Sequence, residues 1–428
     1  MSSPLQDHLS KRKLGVSAGI YSVCSAHPWV IRAAAEQAAE ARSLLLVEAT
    51  SNQVNQFGGY TGMRPAEFRS FVLRHAAAAG LDTESLILGG DHLGPNPWRT
   101  MPADEAMRHA EAMVAEYVQA GFTKIHLDAS MPCDGEPAQL SDEVVAQRSV
   151  QLCKAAEHAR MQGGGPLYVI GTEVPVPGGA THSVQELDVT SISAAEYTLV
   201  VHKRAFEEHG LAEVWPRVIA LVVQPGVEFD HDAVVAYDRA KAKPLTDWLH
   251  VQREEIVFEA HSTDYQLPNA YAELVEDGFA ILKVGPALTF AMREALCALE
   301  DMESQLIAET RRSFLTRVIE ETMLREPASW KPYYGGSPRE QKLLRLYSYS
   351  DRIRYYWHRP EIAKAVDTLI SNMSAVAIPA SMCSRYLPAQ YARLRKNEIA
   401  GDPVSLIVDR IRDVLRVYAA ACSQGAGL

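Results

Sequence analysis

Between Gly15 and about Glu300 the sequence repeats one unit eight times: a short β-rich run, then a longer stretch whose apolar residues recur at helical spacing. The β-rich runs are GVSAGIYSVCS (15–25), SLLLVEAT (43–50), SLILGGD (85–91), KIHLDAS (124–130), LYVIGTEV (167–174), VIALVVQPG (218–226), EIVFEAHST (255–263) and AILKVGPAL (280–288). Helical stretches such as ADEAMRHAEAMVAEYVQAG (103–121) and DEVVAQRSVQLCKAAEHARMQ (142–162) fall between them. Continuous Val/Ile/Leu runs, rather than apolar-polar alternation, mark strands buried on both faces of a parallel sheet. Eight units in roughly 290 residues fit a (β/α)8 barrel, which takes about 250. A doubly wound open sheet is the competing arrangement, but no GxGxxG follows the first strand, so a nicotinamide cofactor is not expected either. The fold class expected is α/β: a (β/α)8 TIM barrel over residues 1–307 carrying the active site, with a helical extension over 308–428 packed on it. In that extension DPVSLIVDRIRDVLRVYAAACS (402–423) has an apolar i, i+3/i+4, i+7 stripe and Asp402 in the N-cap position.

The net charge of −11 argues against nucleic acid as the main partner, because phosphate backbones need a basic face. Six scattered cysteines without CxxC spacing read as free thiols of a reducing compartment. No apolar run approaches the roughly 18 residues of a membrane span, and no signal peptide is visible, so a cytoplasmic protein is expected. No nucleotide-phosphate loop is present either, which leaves a kinase activity without support.

Catalytic groups of such barrels project from the C-terminal ends of the strands. Read in turn, those ends carry Ser25 and His27; Glu48, Asn52 and Gln53; Asp91 and His92; His126 and Asp128; Glu173; Gln224; Glu259, His261, Ser262 and Thr263; then Lys283 and Gly285. Burying charge is costly unless it is used or paired, so a ring of this kind calls for one common explanation. Taken singly, Glu48 and Glu173 can each belong to an internal ion pair, with Lys283 the obvious partner. Asp128 can orient a neighbouring backbone. His126, two residues before Asp128 on the same strand, lies deeper and reads as core, and His202 reads as a surface residue of a helix.

Metal chemistry supplies the common explanation. His92 and His261 come from strands three and seven, which face each other across a barrel mouth and can clasp one ion, with Gln224 or Glu173 as third ligand. Two imidazoles and a neutral amide bind more weakly than a set with a third histidine or a carboxylate. The site is thus expected to accept Mn, Co, Ni or Mg as readily as Zn. The loop SNQVNQFGGYTGMRP (51–65) suits a lid or a binding loop for a polyhydroxylated ligand, since amides such as those of Asn52 and Gln53 pair with hydroxyls. In SYSDRIRYYWHRP (348–360), Arg352 and Arg354 either line a helical surface or close over the mouth to pair with a phosphate.

The segments SVCSAHPWVI, EATSNQVNQFGGYTGM, GGDHLGPN, KIHLDASM, VIGTEVPVPGG, VVQPGVEFDH, EAHSTDYQ, ILKVGPALTFAMREA and YSDRIRYYW together resemble the tagatose-bisphosphate aldolase accessory-subunit family of GatZ/KbaZ type. That family belongs with the metal-dependent class II sugar-phosphate aldolases. The resemblance implies one of two roles: a non-catalytic partner that stabilises a separate aldolase subunit, or a stand-alone epimerase interconverting D-tagatose 6-phosphate and D-fructose 6-phosphate at C4. By the same resemblance Asp91 matches the acid/base at the C4 hydroxyl, His92 the first metal ligand and His261 the ligand ending strand seven. Glu173 matches an acidic metal-associated residue, and ILKVGPAL a substrate-binding segment. At strand six a ligand histidine is implied where this chain has Gln224. Of the two roles the polar ring favours the epimerase, with Asp91 or Glu173 as base, Asp128 as a further catalytic group, and Glu48, Asn52, Gln53, Ser262, Thr263, Lys283, Gly285, Arg352 and Arg354 around the substrate. The partners expected are a phosphorylated ketohexose and either further copies of the chain or a class II aldolase catalytic subunit.

Overall fold

A computed structural model describes residues 3–160, 164–172, 187–252 and 254–423. Eight parallel strands close into a barrel, each hydrogen-bonded to the next and the last to the first. They are β1 (Ile20–Val23), β2 (Leu45–Thr50), β3 (Leu86–Leu93), β4 (Lys124–Leu127), β5 (Leu167–Ile170), β6 (Val218–Val222), β7 (Val257–Ala260) and β8 (Phe279–Val284). Each falls within, or within two residues of, a run expected from the sequence, and helices cover the outside.

The barrel interior is layered because alternate residues of a strand face inward. Ile20, Leu46, Ile87, Leu167, Ile219, Val257 and Ile281 form an apolar floor, on which Leu5 and Leu9 of the N-terminal helix Pro4–Ser10 pack as a plug. Two residues further along the same strands the layer changes to Ser22, Glu48, Gly89, Glu259 and Lys283, joined by Lys124 from the start of β4. One more step reaches Cys24, Thr50, Asp91, His126 and His261. The barrel thus passes from oil to ions to a reactive rim over a few residues of each strand.

After Leu306 the chain continues in helices. Helix Pro403–Cys422, capped by Asp402 through Ser405 N at 3.0 Å as expected, packs against helices Pro28–Ala41, Pro268–Glu276 and Pro286–Leu306. Its Tyr418 hydroxyl reaches Thr263 Oγ1 at 3.0 Å, tying the extension to the β7 loop. The turn Arg352–Tyr355 is delivered to the barrel mouth by Asp351, whose carboxylate accepts from Thr289 Oγ1 (2.6 Å) and pairs with Arg293 Nε (3.0 Å). His202, expected on the surface, is buried on helix Ile192–Glu208. Its Nδ1 donates to Thr198 O at 2.9 Å, one helical turn back. No helix of the described residues is long and apolar enough to cross a membrane.

Candidate active site at the barrel mouth

The pair Asp91-His92 ends β3 in a bulge: Gly89 and Gly90 pair with Lys124 and Ile125, and the next pairing is Leu93 with Leu127. The extra residue turns His92 into the left-handed region (φ 48°), a strained conformation for a side chain of this size. The preceding glycine is required by space, since a Cβ on Gly89 would run into the Glu48 carboxylate. The register of Gly89 with Lys124 sets Asp91 level with His126 on β4, the bulge adds His92 beside them, and His261 arrives from β7. Three imidazoles result, with ring centroids 5.2 Å (His92–His126), 4.9 Å (His92–His261) and 5.4 Å (His126–His261) apart. Ligand atoms of Asp91, His126, Glu259 and His261 lie within 4.8 Å of one another.

Each ring has at least one nitrogen engaged. His92 Nδ1 donates to Asp128 Oδ2 at 2.7 Å, and its Nε2 lies 3.7 Å from Asp91 Oδ2. His126 Nδ1 accepts from His92 N at 3.2 Å and lies 3.1 Å from Asp91 Oδ1, and its Nε2, fully buried, has no hydrogen-bond partner among the described residues. His261 Nε2 donates to Glu259 Oε1 at 3.0 Å. An orphaned buried imidazole nitrogen among carboxylates and further imidazoles is a donor set that suits a divalent ion. Charge points the same way. Among the described residues the buried carboxylates of Glu48, Asp91 and Glu259 share two buried ammonium groups, those of Lys124 and Lys283, while Asp128 pairs with His92.

Lys124 Nζ lies 2.7 Å from both Glu48 Oε1 and Glu259 Oε2. Lys283 Nζ lies 2.8 Å from Asp91 Oδ1 and 3.6 Å from Glu259 Oε1, and also pairs with Glu48. Burial by itself would raise the Asp91 carboxyl, but the charges of His92 and Lys283 overcome it and hold the group well below its usual range. Burial likewise opposes charge on His92, yet Asp91 and Asp128 raise it. At His261 burial wins and brings the ring down to about 4, so it stays neutral. Burial also disfavours the Lys283 ammonium, yet Asp91, Glu48 and Glu259 keep it protonated.

The cavity above this cluster is lined by Cys24, Asn52, Gln53 and Tyr60 on one side, Ser262, Asp264, Lys283 and Gly285 on the other, and Arg354 and Tyr355 from the extension. Tyr60 and Tyr355 meet edge to face at 5.1 Å across the mouth. Arg354 Nη2 donates to Tyr355 Oη at 2.9 Å, while Nη1 is held by Ser350 O and Asp351 O. After burial, which opposes it, Arg354 lowers the pKa of the Tyr355 phenol. The Asn52 amide has no hydrogen-bond partner among the described residues, whereas Gln53 Oε1 accepts from Thr50 N at 2.9 Å.

Several expected residues lie elsewhere. Gln224, the anticipated third ligand, commits Oε1 to its own turn by accepting from Gly226 N (2.8 Å) and Val227 N (3.0 Å). Glu48 lies beneath the cavity floor, taken up by Ser22, Lys124 and Lys283. Thr263 is fully buried and donates to Lys283 O at 2.6 Å. Arg352 turns away from the mouth, with Nε on Ser329 O at 2.5 Å and its guanidinium over the Tyr333 ring. Asp128 does not line the cavity and acts on it only through His92. Glu173 lies outside the described residues. Conversely, sequence reasoning assigned no site role to His126, Glu259, Lys124, Tyr60, Tyr355 or Asp264.

Asp264 has a measurable signature. Burial raises its carboxyl to about 6, against the lowering effect of the Ala287 and Gly285 amides and of Arg354. With the folded value above the unfolded one of about 3.9, its stabilising contribution is full at acid pH and is lost as pH climbs through 6. Asp264→Asn cannot titrate. Its stability relative to the parent is expected to rise between pH 4 and 6, by at most about 1.4 kcal/mol per pH unit, and to level off above pH 7. Urea unfolding of both proteins from pH 4 to 8 checks this, and a pH-independent difference would contradict it.

Fold and site together define a (β/α)8 barrel with a ligand-rich ionic centre at the C-terminal ends of its strands, the face on which this architecture carries chemistry. The family model described as D-tagatose-1,6-bisphosphate aldolase subunit GatZ/KbaZ-like matches residues 5–423. The chain belongs to this family. Among solved structures it is similar to a protein from Sinorhizobium meliloti 1021 described as a probable tagatose 6 phosphate kinase, with 51% identity and a TM-score of 0.88 over 94% of this chain and 100% of that one. A fructose-bisphosphate aldolase from Campylobacter jejuni matches at 13% identity and TM-score 0.44, over 86% of this chain and 89% of that one. The YdjI aldolase from Escherichia coli K12 matches at 11% and 0.43, over 88% and 100%.

Proposed function

We propose that the chain is a metal-dependent 4-epimerase of ketohexose phosphates, interconverting D-tagatose 6-phosphate and D-fructose 6-phosphate by retro-aldol cleavage and re-addition. The observation that carries this reading is an ionised acid, Asp91, lining one cavity with His92, His261, Lys283 and Arg354, with His126 buried beside it. His92, His126 and His261, with Glu259 beside them, are the groups assigned to a divalent ion of the Mn, Co, Ni, Mg or Zn type. When bound, such an ion supplies polarisation of the sugar's C2 carbonyl.

The chain's own residues do the rest. Asp91 accepts the C4 hydroxyl proton. The C3–C4 bond then breaks, its electron pair moves into the C2 carbonyl, and C4 becomes the aldehyde of glyceraldehyde 3-phosphate. Lys283, 2.8 Å from Asp91, favours negative charge at this end of the site. Rotation of the aldehyde presents its other face. The bond re-forms, and Asp91 returns the proton to the new C4 oxygen. Arg354 faces the phosphate, Asn52 the sugar hydroxyls, and the Tyr60–Tyr355 contact keeps water from the aldehyde. Glu173 is retained as an alternative base. Free thiols at all six cysteines suit a reducing cytoplasm.

The family's description as an aldolase subunit favours a second reading, in which the chain supports a class II aldolase catalytic subunit without turnover of its own. The two separate in one assay. Purified chain with Mn²⁺ and D-fructose 6-phosphate is expected to form D-tagatose 6-phosphate, seen by ¹³C NMR and abolished by EDTA. No turnover with any of the five metals leaves the second reading. Independently of activity, His126→Gln is expected to weaken Mn²⁺ binding about tenfold or more in calorimetry. Unchanged affinity would remove His126 from the ligand set.

A further inference from the structure

Asp264 lies three residues beyond His261, buried in the loop after β7. Its Oδ1 accepts from Gly285 N (3.1 Å) and Ala287 N (2.8 Å), the cap and first turn of helix Pro286–Leu306 after β8. In (β/α)8 barrels the loops after strands seven and eight, with a helix N-terminus, are a frequent grip for phosphate, because free amides and the helix dipole converge there. In this chain those amides are spent on a carboxylate of the chain itself. The carboxylate lines the same cavity as Asp91, His261 and Lys283. Arg354, from the extension, is the arginine among the residues lining that cavity.

We infer that Asp264 closes this corner of the site to phosphate and receives instead the neutral C1 hydroxymethyl end of a ketose, so that the substrate carries one phosphate, at its far end against Arg354. The inference rests on the ketose-phosphate reading above and adds the residue that holds such a substrate to a single phosphate. A phosphate entering the corner would lose both amide donors and meet a like charge where water is scarce, two penalties that a hydroxyl escapes. A hydroxyl donates to the carboxylate and needs neither amide. A sugar phosphorylated at both ends is refused at C1 by the same contact.

Binding measurements test this without requiring turnover. Asp264→Ala, which frees the two amides, is expected to bind dihydroxyacetone phosphate and inorganic phosphate at least tenfold more tightly than the parent in calorimetry, with no gain for dihydroxyacetone. Asp264→Asn keeps an acceptor oxygen for both amides and guards against loss of fold. It is expected to relax the parent's preference for D-fructose 6-phosphate over D-fructose 1,6-bisphosphate by at least tenfold. Parent protein that binds both sugars equally, or variants that gain nothing for phosphate, would overturn the role of Asp264. A gained phosphate site in a chain without epimerase turnover would sink the epimerase reading alone.

Discussion

Asp91→Asn is expected to lower epimerase turnover by about 10²–10⁴-fold while changing KM for the sugar phosphate by no more than a few-fold. The substitution keeps the shape of the side chain and removes its charge and its capacity to take a proton. In the parent, Oδ1 lies 2.8 Å from Lys283 Nζ and 3.1 Å from His126 Nδ1, and Oδ2 lies 3.8 Å from Cys24 Sγ on the cavity side. Oδ1 is thus the closely anchored oxygen, and Oδ2, held only by the longer contacts of Cys24 Sγ and of His92 Nε2 at 3.7 Å, is the one assigned to a substrate hydroxyl. General-base catalysis contributes a factor of this size, and it enters kcat because the proton moves only after the sugar is bound. The comparison is made at saturating Mn²⁺ with metal content measured on both proteins, since removing a carboxylate also weakens the hold on a cation. A variant that keeps turnover within tenfold of the parent would pass the role of base to Glu173.

The parts of this molecule that were legible in sequence are those that a strand's period and apolar content determine. Eight Val/Ile/Leu runs gave eight strands, and reading strand ends gave Asp91, His92, His261, Lys283 and Gly285 at one cavity. What failed was level along the barrel axis. In the sequence His126 reads as core because it precedes Asp128 by two positions, and it is indeed fully buried. The pairing of Gly89 with Lys124 sets Asp91 level with it and the bulge after Gly90 adds His92, and both register and bulge are tertiary features that strand periodicity does not announce. The paired glycines before Asp91 were the one available hint. Gln224 is engaged for a local reason, since in Gln-Pro-Gly-Val its amide oxygen caps the turn that follows. For Glu48 the sequence left two readings open, substrate contact or ion pair with Lys283, and the ion pair holds. Lys124 went unnoticed because a lysine opening a strand looks like a solvated flank, and only barrel closure turns it inward. Asp264 was hidden for the opposite reason: a loop aspartate is ordinary until β8 brings two amides to it.

Lys124→Met tests the layer that supports the reactive rim, and the expected loss of stability is about 3–5 kcal/mol in urea unfolding. Lys124, Glu48 and Glu259 are each 0% exposed, so water cannot replace the ammonium when it is removed. Glu48 would still have Lys283 and Ser22, but Glu259 would keep only the more distant Lys283, 3.6 Å away, and the neutral His261 ring. Most of the cost therefore falls on one uncompensated carboxylate, not on lost packing, because Met fills nearly the same space. The double variant Lys124→Met/Glu259→Gln separates the two. If charge is the cause, neutralising Glu259 recovers at least about 1 kcal/mol relative to Lys124→Met alone, giving a coupling energy of the size found for buried contacting pairs. If packing is the cause, the double variant is less stable than either single one and the coupling vanishes. A Lys124→Met protein within about 1 kcal/mol of the parent would mean that Glu259 takes up a proton at little cost. The buried ion layer would then be dispensable for the fold, and its retention would have to be explained by the rim alone.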